Sequence, residues 1–382
     1  MSINAGSAVA YLELDYSKYS TGLMTARQQL STFTDNTQEA GTRIQALGGA
    51  ITGVGATLTT GLTVPLVGVG AGALTVAANF EEGMSKVQAL SGSTASEMEL
   101  LGEKAKEAGS KTQYSASECA DAFSYMSLAG WKANEMIDGL DGVLSLAASS
   151  GMQLAQASDI VTDTLSMFNM QVSESNYLAD VFAYAQANSN TTVEQLSGAL
   201  LNCGANANAM GYDIEQTSAM LMVMADQGLK GERAGTALSA VFRDMKNAVK
   251  DGNIELNGHK IAVADAEGKY RDMTDILSDV VNATEGLTDV ERDMALSTIF
   301  GADSVKGMNL MLNAGTDAIK SYDSQLRNAE GSASKMADTM QNNLKGKITQ
   351  LKSALEGAGV VLRRPRSGFS ILHRRCGSGH CL

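Results

Sequence analysis

Along most of the chain apolar residues recur every three or four positions, the period of a helix that buries one side. The longest such run is Leu23, Ala26, Leu30, Phe33, Thr37, Ala40, Ile44, Leu47, Ile51, Val54 and Leu58, a seam of alternating steps of three and four. It fits an amphipathic helix lying on its own domain, or a coiled coil between copies in which Thr37 and the alanines weaken or specify the seam. Before it, "AVAYLELD" alternates with period two and predicts one short strand from Ala8 to about Asp15. A second seam, Met336, Met340, Leu344, Ile348, Leu351 and Leu355, carries the helical pattern to about Gly357.

Between the seams, polar residues mark where helices begin and end. Thr94 with Glu97, Ser115 with Glu118, Thr191 with Glu194, Asp213 with Gln216 and Thr288 with Glu291 have capping-box spacing. Gly109, Gly130, Gly151, Gly211 and Gly228 stand where the preceding helices should stop, because glycine accepts the left-handed conformation. Short turns imply antiparallel neighbours. "SASECADAFSYMSLAG" from Ser115 resembles "TTVEQLSGALLNCGAN" from Thr191, and "LSLAASSG" resembles "LMVMADQG", at an offset of about 77, which suggests two related helical units. One interruption, "NIELNGHKIAVADAEGKYRDM", places Asn257-Gly258 between two short apolar runs and a second turn at "DAEG", predicting a β-hairpin or a three-stranded flap.

Composition agrees with a mainly α chain: of 382 residues, only two are proline and 5% aromatic, while 44% are hydrophobic and 19% charged. A formal net charge of -13 argues against direct nucleic-acid recognition, which draws its affinity from Lys and Arg. Four scattered cysteines do not make a disulfide framework, and "MSINAGSAVAYLELD" lacks the basic start and apolar run of a signal peptide. Ile44 to Phe80 holds no charged residue, long enough to cross a hydrocarbon core of ~30 Å, although its threonines and glycines weaken the case. The spacings Gly49/Gly53 and Gly68/Gly72 permit close helix approach in lipid or in a tight bundle. Gly68, Gly70 and Ala73 also fit G-x-G-x-x-G/A, yet no acidic residue follows about 20 positions on and no second strand is encoded, so a dinucleotide turn is not expected.

Catalytic chemistry is sparse. His259 is the only histidine before residue 370 and sits beside the Asn-Gly turn, where it reads as solvated. "GSKT" at Gly109 to Thr112 lacks the P-loop frame. Asp159, Asp163, Glu174 and Asp180 read as solvated helix faces, the twenty methionines as core or interface filler, and Trp131 as an apolar contact after a helix end. Cys376, His380 and Cys381 supply three irregularly spaced donors, short of a zinc site. The sequence therefore nominates no catalytic residue, no cofactor and no metal.

The order of an N-terminal strand and seam, "GLTVPLVGVG", "ANFEEGMSKVQAL", and then the run from "SNTTVEQLSGALL" to "GLKGERAGTALSAVF" resembles the N-terminal core of the tail tape measure proteins of long-tailed bacteriophages. The resemblance covers roughly Ala8 to Val361, and Gly228 to Leu238 is its most specific part. It implies a structural, non-enzymatic protein of the virion, made in the bacterial cytoplasm and housed in the tail lumen, whose length sets tail length. The implied partners are tail tube and tail tip proteins, tail assembly chaperones, further copies of itself, and the host inner membrane during genome ejection. A membrane-active, pore-forming protein is the alternative. The expected organisation is a strand and heptad helix at 1–43, the uncharged segment at 44–80, a helical core at 81–250, the hairpin at 251–273, further helices at 274–362 and a disordered basic tail at 363–382. Family members are usually longer, and the tail's abrupt arginines suggest a shifted or truncated reading frame.

Overall fold

The computed structural model describes residues 63–342, with side chains from Val76 onward. The strand at Ala8–Asp15, the seam from Leu23 to Leu58, most of the uncharged run, the later part of the C-terminal seam and the basic tail lie outside the described residues. Contacts divide the chain after Val67, and the helical core lies in the second unit.

The described chain is mainly α, with fourteen helices and one two-stranded antiparallel sheet. Helix α1 spans Thr63–Ser91, α2 Ala95–Lys111, α3 Ala116–Leu128, α4 Ala133–Ser150 and α5 Leu154–Met167. After a 3-10 turn at Val172–Glu174 come α6 Ser175–Asn188, α7 Val193–Ala209, α8 Ile214–Asp226 and α9 Glu232–Ala248. Strands β1 Asn253–Leu256 and β2 His259–Ala262 follow, then α10 Met273–Ala283, α11 Asp289–Ser297, α12 Ala302–Ala314, α13 Thr316–Arg327 and α14 Ser332–Gln341. Gly68, Gly70 and Ala73 lie inside α1, so the chain makes no nucleotide-type turn there. The same helix runs unbroken through positions 80 and 81.

Local side-chain chemistry starts the helices largely as the spacing predicts. Thr94, Ser115 and Thr288 form complete reciprocal boxes with Glu97, Glu118 and Glu291. Asp213 caps α8 by accepting from the Gln216 N–H at 2.9 Å, but the Gln216 amide turns away to Asp272 at 2.6 Å. The cap of α7 is Thr192 rather than Thr191: its hydroxyl accepts from the Gln195 N–H at 3.2 Å. Two adjacent threonines offer the same chemistry, so spacing alone could not choose between them.

Helix ends obey the glycine rule with one correction. Gly130, Gly151, Gly211 and Gly228 all have positive φ, from 74° to 88°. Gly109 does not end its helix, since α2 continues to Lys111. It is instead a contact point, where an added Cβ would lie 2.7 Å from the Ala116 amide nitrogen.

The core is continuous from Phe80 and Val87 of α1 to Ala333 and Ala337 of α14. At its centre, α8 is buried at every position from Thr217 to Ala225, as expected of a helix apolar nearly all round. Trp131 is buried over Gly139 of α4, where a Cβ would come within 2.4 Å of the indole ring. The hairpin pairs Ile254 with Ile261 and Leu256 with His259 across Asn257 and Gly258, whose φ values of 52° and 78° suit a tight turn. Ile254, Leu256 and Ile261 are buried, and an isolated bridge between Ala264 and Tyr270 takes the place of a third strand.

Candidate assembly surface

The start of the Gly228–Leu238 run, the most specific part of the resemblance, meets the Ser189–Thr192 turn in space. Asp226, the last residue of α8, accepts from the Asn190 N–H at 2.8 Å, and its other oxygen lies 2.7 Å from the Tyr322 hydroxyl of α13. That hydroxyl is also 3.1 Å from the Asn188 carbonyl, and Lys230 Nζ donates to Asn190 Oδ1 at 3.0 Å. Burial and then the Asp226 carboxylate push the Tyr322 hydroxyl up to about 12, so it stays a donor. Gly231 caps α9 with φ 66° and ψ -153°, a conformation open essentially to glycine alone. One turn later Gly235 lies so close to α7 that a Cβ would be 2.1 Å from the Ala199 carbonyl oxygen. The "GLKGERAGTAL" run is thus a turn and a helix contact, built to join α6, α7, α8, α9 and α13 at one end.

Two carboxylates of the helical core, Asp180 and Asp244, serve the ends of distant helices. Asp180 of α6 accepts from the Gly331 and Ala333 N–H groups at 2.9 and 2.8 Å, capping α14 across a wide sequence gap. Asp244 of α9 does the same for α12, accepting from the Gly301 N–H at 2.9 Å and the Ser304 hydroxyl at 2.5 Å. Burial opposes the charge on Asp244, but these bonds and Arg243 outweigh it and hold its pKa below the ordinary value. Glu215 of α8 is buried, accepts from the Tyr177 hydroxyl, and is raised by that burial. Nearby, Arg327 of α13 bridges Asp213 at 2.7 Å and Asp323 at 2.9 Å.

Asp180 and Asp244 each bond the backbone at a helix start, and Asp244 also lines an open cleft. His259 is exposed beside the hairpin turn. The Gly109–Thr112 run is the end of α2, while Asp159 and Asp163 lie one turn apart on the exposed side of α5, Glu174 accepts from the Gln171 N–H at the 3-10 turn, and Asp180 is inside. Cys119 and Cys203 are buried, and burial pushes both thiols up to about 12, which makes them poor nucleophiles. Among the described residues no cluster of three or more His, Cys, Asp or Glu could hold a metal.

One open cleft of about 780 Å³ lies between the end of α9, the hairpin and the turn before α12. Arg243, Lys250 and Lys260 line it together with Asp244, Asp251 and Glu255. Sequence spacing gave no signal for it, because its walls come from segments separated by the α10 and α11 region.

A family model described as "Phage-related minor tail protein" matches residues 102–301. The chain is 35% identical over 363 residues to the tape measure protein of Pneumococcus phage Dp-1, an alignment that covers 94% of this chain and 31% of that protein. It is 24% identical over 294 residues to the probable tape measure protein of Escherichia phage P2, covering 76% of this chain and 36% of the relative. The chain therefore spans about a third of the length of the curated relatives it matches. No solved structure matches it. The matched residues run from α2 to the turn before α12 and take in both halves of the junction at Asp226: the chain belongs to the phage-related minor tail protein family.

Proposed function

We propose that this chain is the N-terminal core of a tail tape measure protein, acting in tail assembly and in the setting of tail length. The observation that carries the reading is 35% identity across 94% of the chain to a tape measure protein. The use of interior polar groups as helix caps supports a structural role in place of turnover. In this reading the partners are tail tube and tail tip proteins, assembly chaperones and other copies of the chain, and its place is the tail lumen. Deleting the reading frame from its genome should leave particles without normal tails in electron micrographs, and tails of normal length and number would overturn the proposal.

A part in genome ejection rests on the uncharged run from Ile44 to Phe80, which could enter a bilayer once released. Among the described residues no helix is long and apolar enough to cross a membrane. Release of dye from lipid vesicles by the full chain, lost when 44–62 is removed, is the expected result. Equal release by the shortened chain would remove the membrane role.

A further inference from the structure

Helix α13 lies on α8 and is held there lightly. Between Gly315 and Gly331 only Ile319, Leu326 and Ala329 are buried, whereas α8 beneath is buried at every position from Thr217 to Ala225. Ile319, Tyr322 and Leu326 recur at i, i+3 and i+7, the spacing by which an amphipathic helix seats in a groove. The remaining attachments are polar and open to water. Arg327 reaches Asp213 at 2.7 Å, Lys320 reaches Asp275 at 3.3 Å, the Tyr322 hydroxyl donates to Asp226 at 2.7 Å, and the Tyr184 hydroxyl of α6 donates to the Gln325 side chain. Bonds of this exposed kind contribute little each. Both flanks of the helix are glycines in the left half of backbone space, Gly315 at φ 85° and Gly331 at φ 77°, and an added Cβ at Gly315 would meet nothing within 4 Å. Nor does α13 fill the face it covers, since a slot of about 190 Å³ lies along it, lined by Met220 of α8, Met273 of α10 and Ile319.

We propose that α13 is a displaceable strap, which lifts from α8 between its two glycines without unfolding the rest, and that the uncovered face takes a basic amphipathic helix of another protein. The chain thus occupies its own docking groove, and the occupant defines the ligand. Its apolar residues stand at i, i+3 and i+7, with cations at i+1 and i+8 as Lys320 and Arg327 stand here. The carboxylates that hold α13 from outside it, Asp213, Asp226 and Asp275, belong to α8, its cap and α10, with Lys230 beyond Asn190 at one end. Charge therefore favours a helix that brings cations. Methionines such as Met220 and Met273 adapt their shape to a replacement side chain. Neither the release nor the groove depends on the tail reading.

The test is amide hydrogen exchange of the full chain, followed by mass spectrometry, in wild type and in Tyr322→Phe with Arg327→Gln. In wild type residues 316–327 should exchange by local opening, faster than α8. The variant should speed exchange of 316–327 by roughly tenfold and leave α7 and α9 unchanged, because two of the outer bonds are gone. A fluorescent peptide of residues 314–330 is the probe for the groove. It should bind the variant roughly tenfold more tightly than wild type, since apparent affinity follows the open fraction, and the same peptide with Ile319→Asp and Leu326→Asp should not bind. Circular dichroism checks the fold, and Tyr322→Phe alone is the milder variant. Residues 316–327 that exchange only together with α8, or a peptide that fails to bind a variant whose strap exchanges faster, would each overturn the proposal.

Discussion

Two helix crossings, 77 positions apart, solve the same packing problem differently. In the first, Ser158 of α5 faces α3, and its hydroxyl donates to the Ala122 carbonyl at 3.0 Å. In the second, Gly235 of α9 faces α7 at Ala199, and its missing side chain lets the backbones come closer. The offset also relates the caps Ser115 and Thr192 and the positive-φ glycines Gly151 and Gly228. We read this as one three-helix motif used twice. A tight crossing needs a small residue, which either satisfies the facing carbonyl or is absent altogether.

The comparison breaks most visibly at Gly235. Gly235→Val should destabilise the fold by about 3 kcal/mol or more, because the new atoms meet backbone that cannot move aside as a side chain would. Urea denaturation measures it, and a loss under about 0.5 kcal/mol would show that the two helices can separate at no cost. Next is Asp244, whose cap of α12 has no counterpart on α5. Asp244→Ala should cost about 1–2 kcal/mol at neutral pH, the upper range for a lost cap. The carboxyl is held below its unfolded value, so its contribution is present above that value and is lost as pH falls through the folded one. The deficit of Asp244→Ala should therefore shrink in acid, and a pH-independent deficit would mean that charge has no part in the cap.

Smaller effects sharpen the comparison. Ser158→Ala leaves the α3–α5 crossing intact but removes one buried donor, for a loss of about 1 kcal/mol. At the two first helices, Glu118 accepts from the Ser115 N–H at 2.7 Å, whereas no such return bond joins Gln195 to Thr192. Glu118→Ala should cost about 0.5 kcal/mol and Gln195→Ala about half that or less. Equal losses in thermal melts would remove the distinction between a full box and half of one.

What was legible in the sequence was local. Capping boxes, glycine stops and the Asn-Gly hairpin depend on side chains within a few residues of the backbone they serve, and each leaves a spacing to read. The caps of α12 and α14 by Asp244 and Asp180 join residues 57 and 151 positions apart, so each carboxylate looked like any solvated acid. Gly109 had the composition of a stop but is a contact, which depends on what lies across from it. The meeting of Asn190, Asp226, Lys230 and Tyr322 was hidden for the same reason, although Lys230 lies in the most specific part of the family resemblance.

The central claim is that this chain is a structural part of a phage tail, and the direct measurement is the protein content of purified tails. Particles made from the encoding genome should be separated into heads and tails, digested, and examined by mass spectrometry for peptides from residues 63–342. The account predicts those peptides in the tail fraction, at a fixed ratio to tail tube protein and absent from tails made after the reading frame is deleted. Intact tails that contain none of them would contradict it.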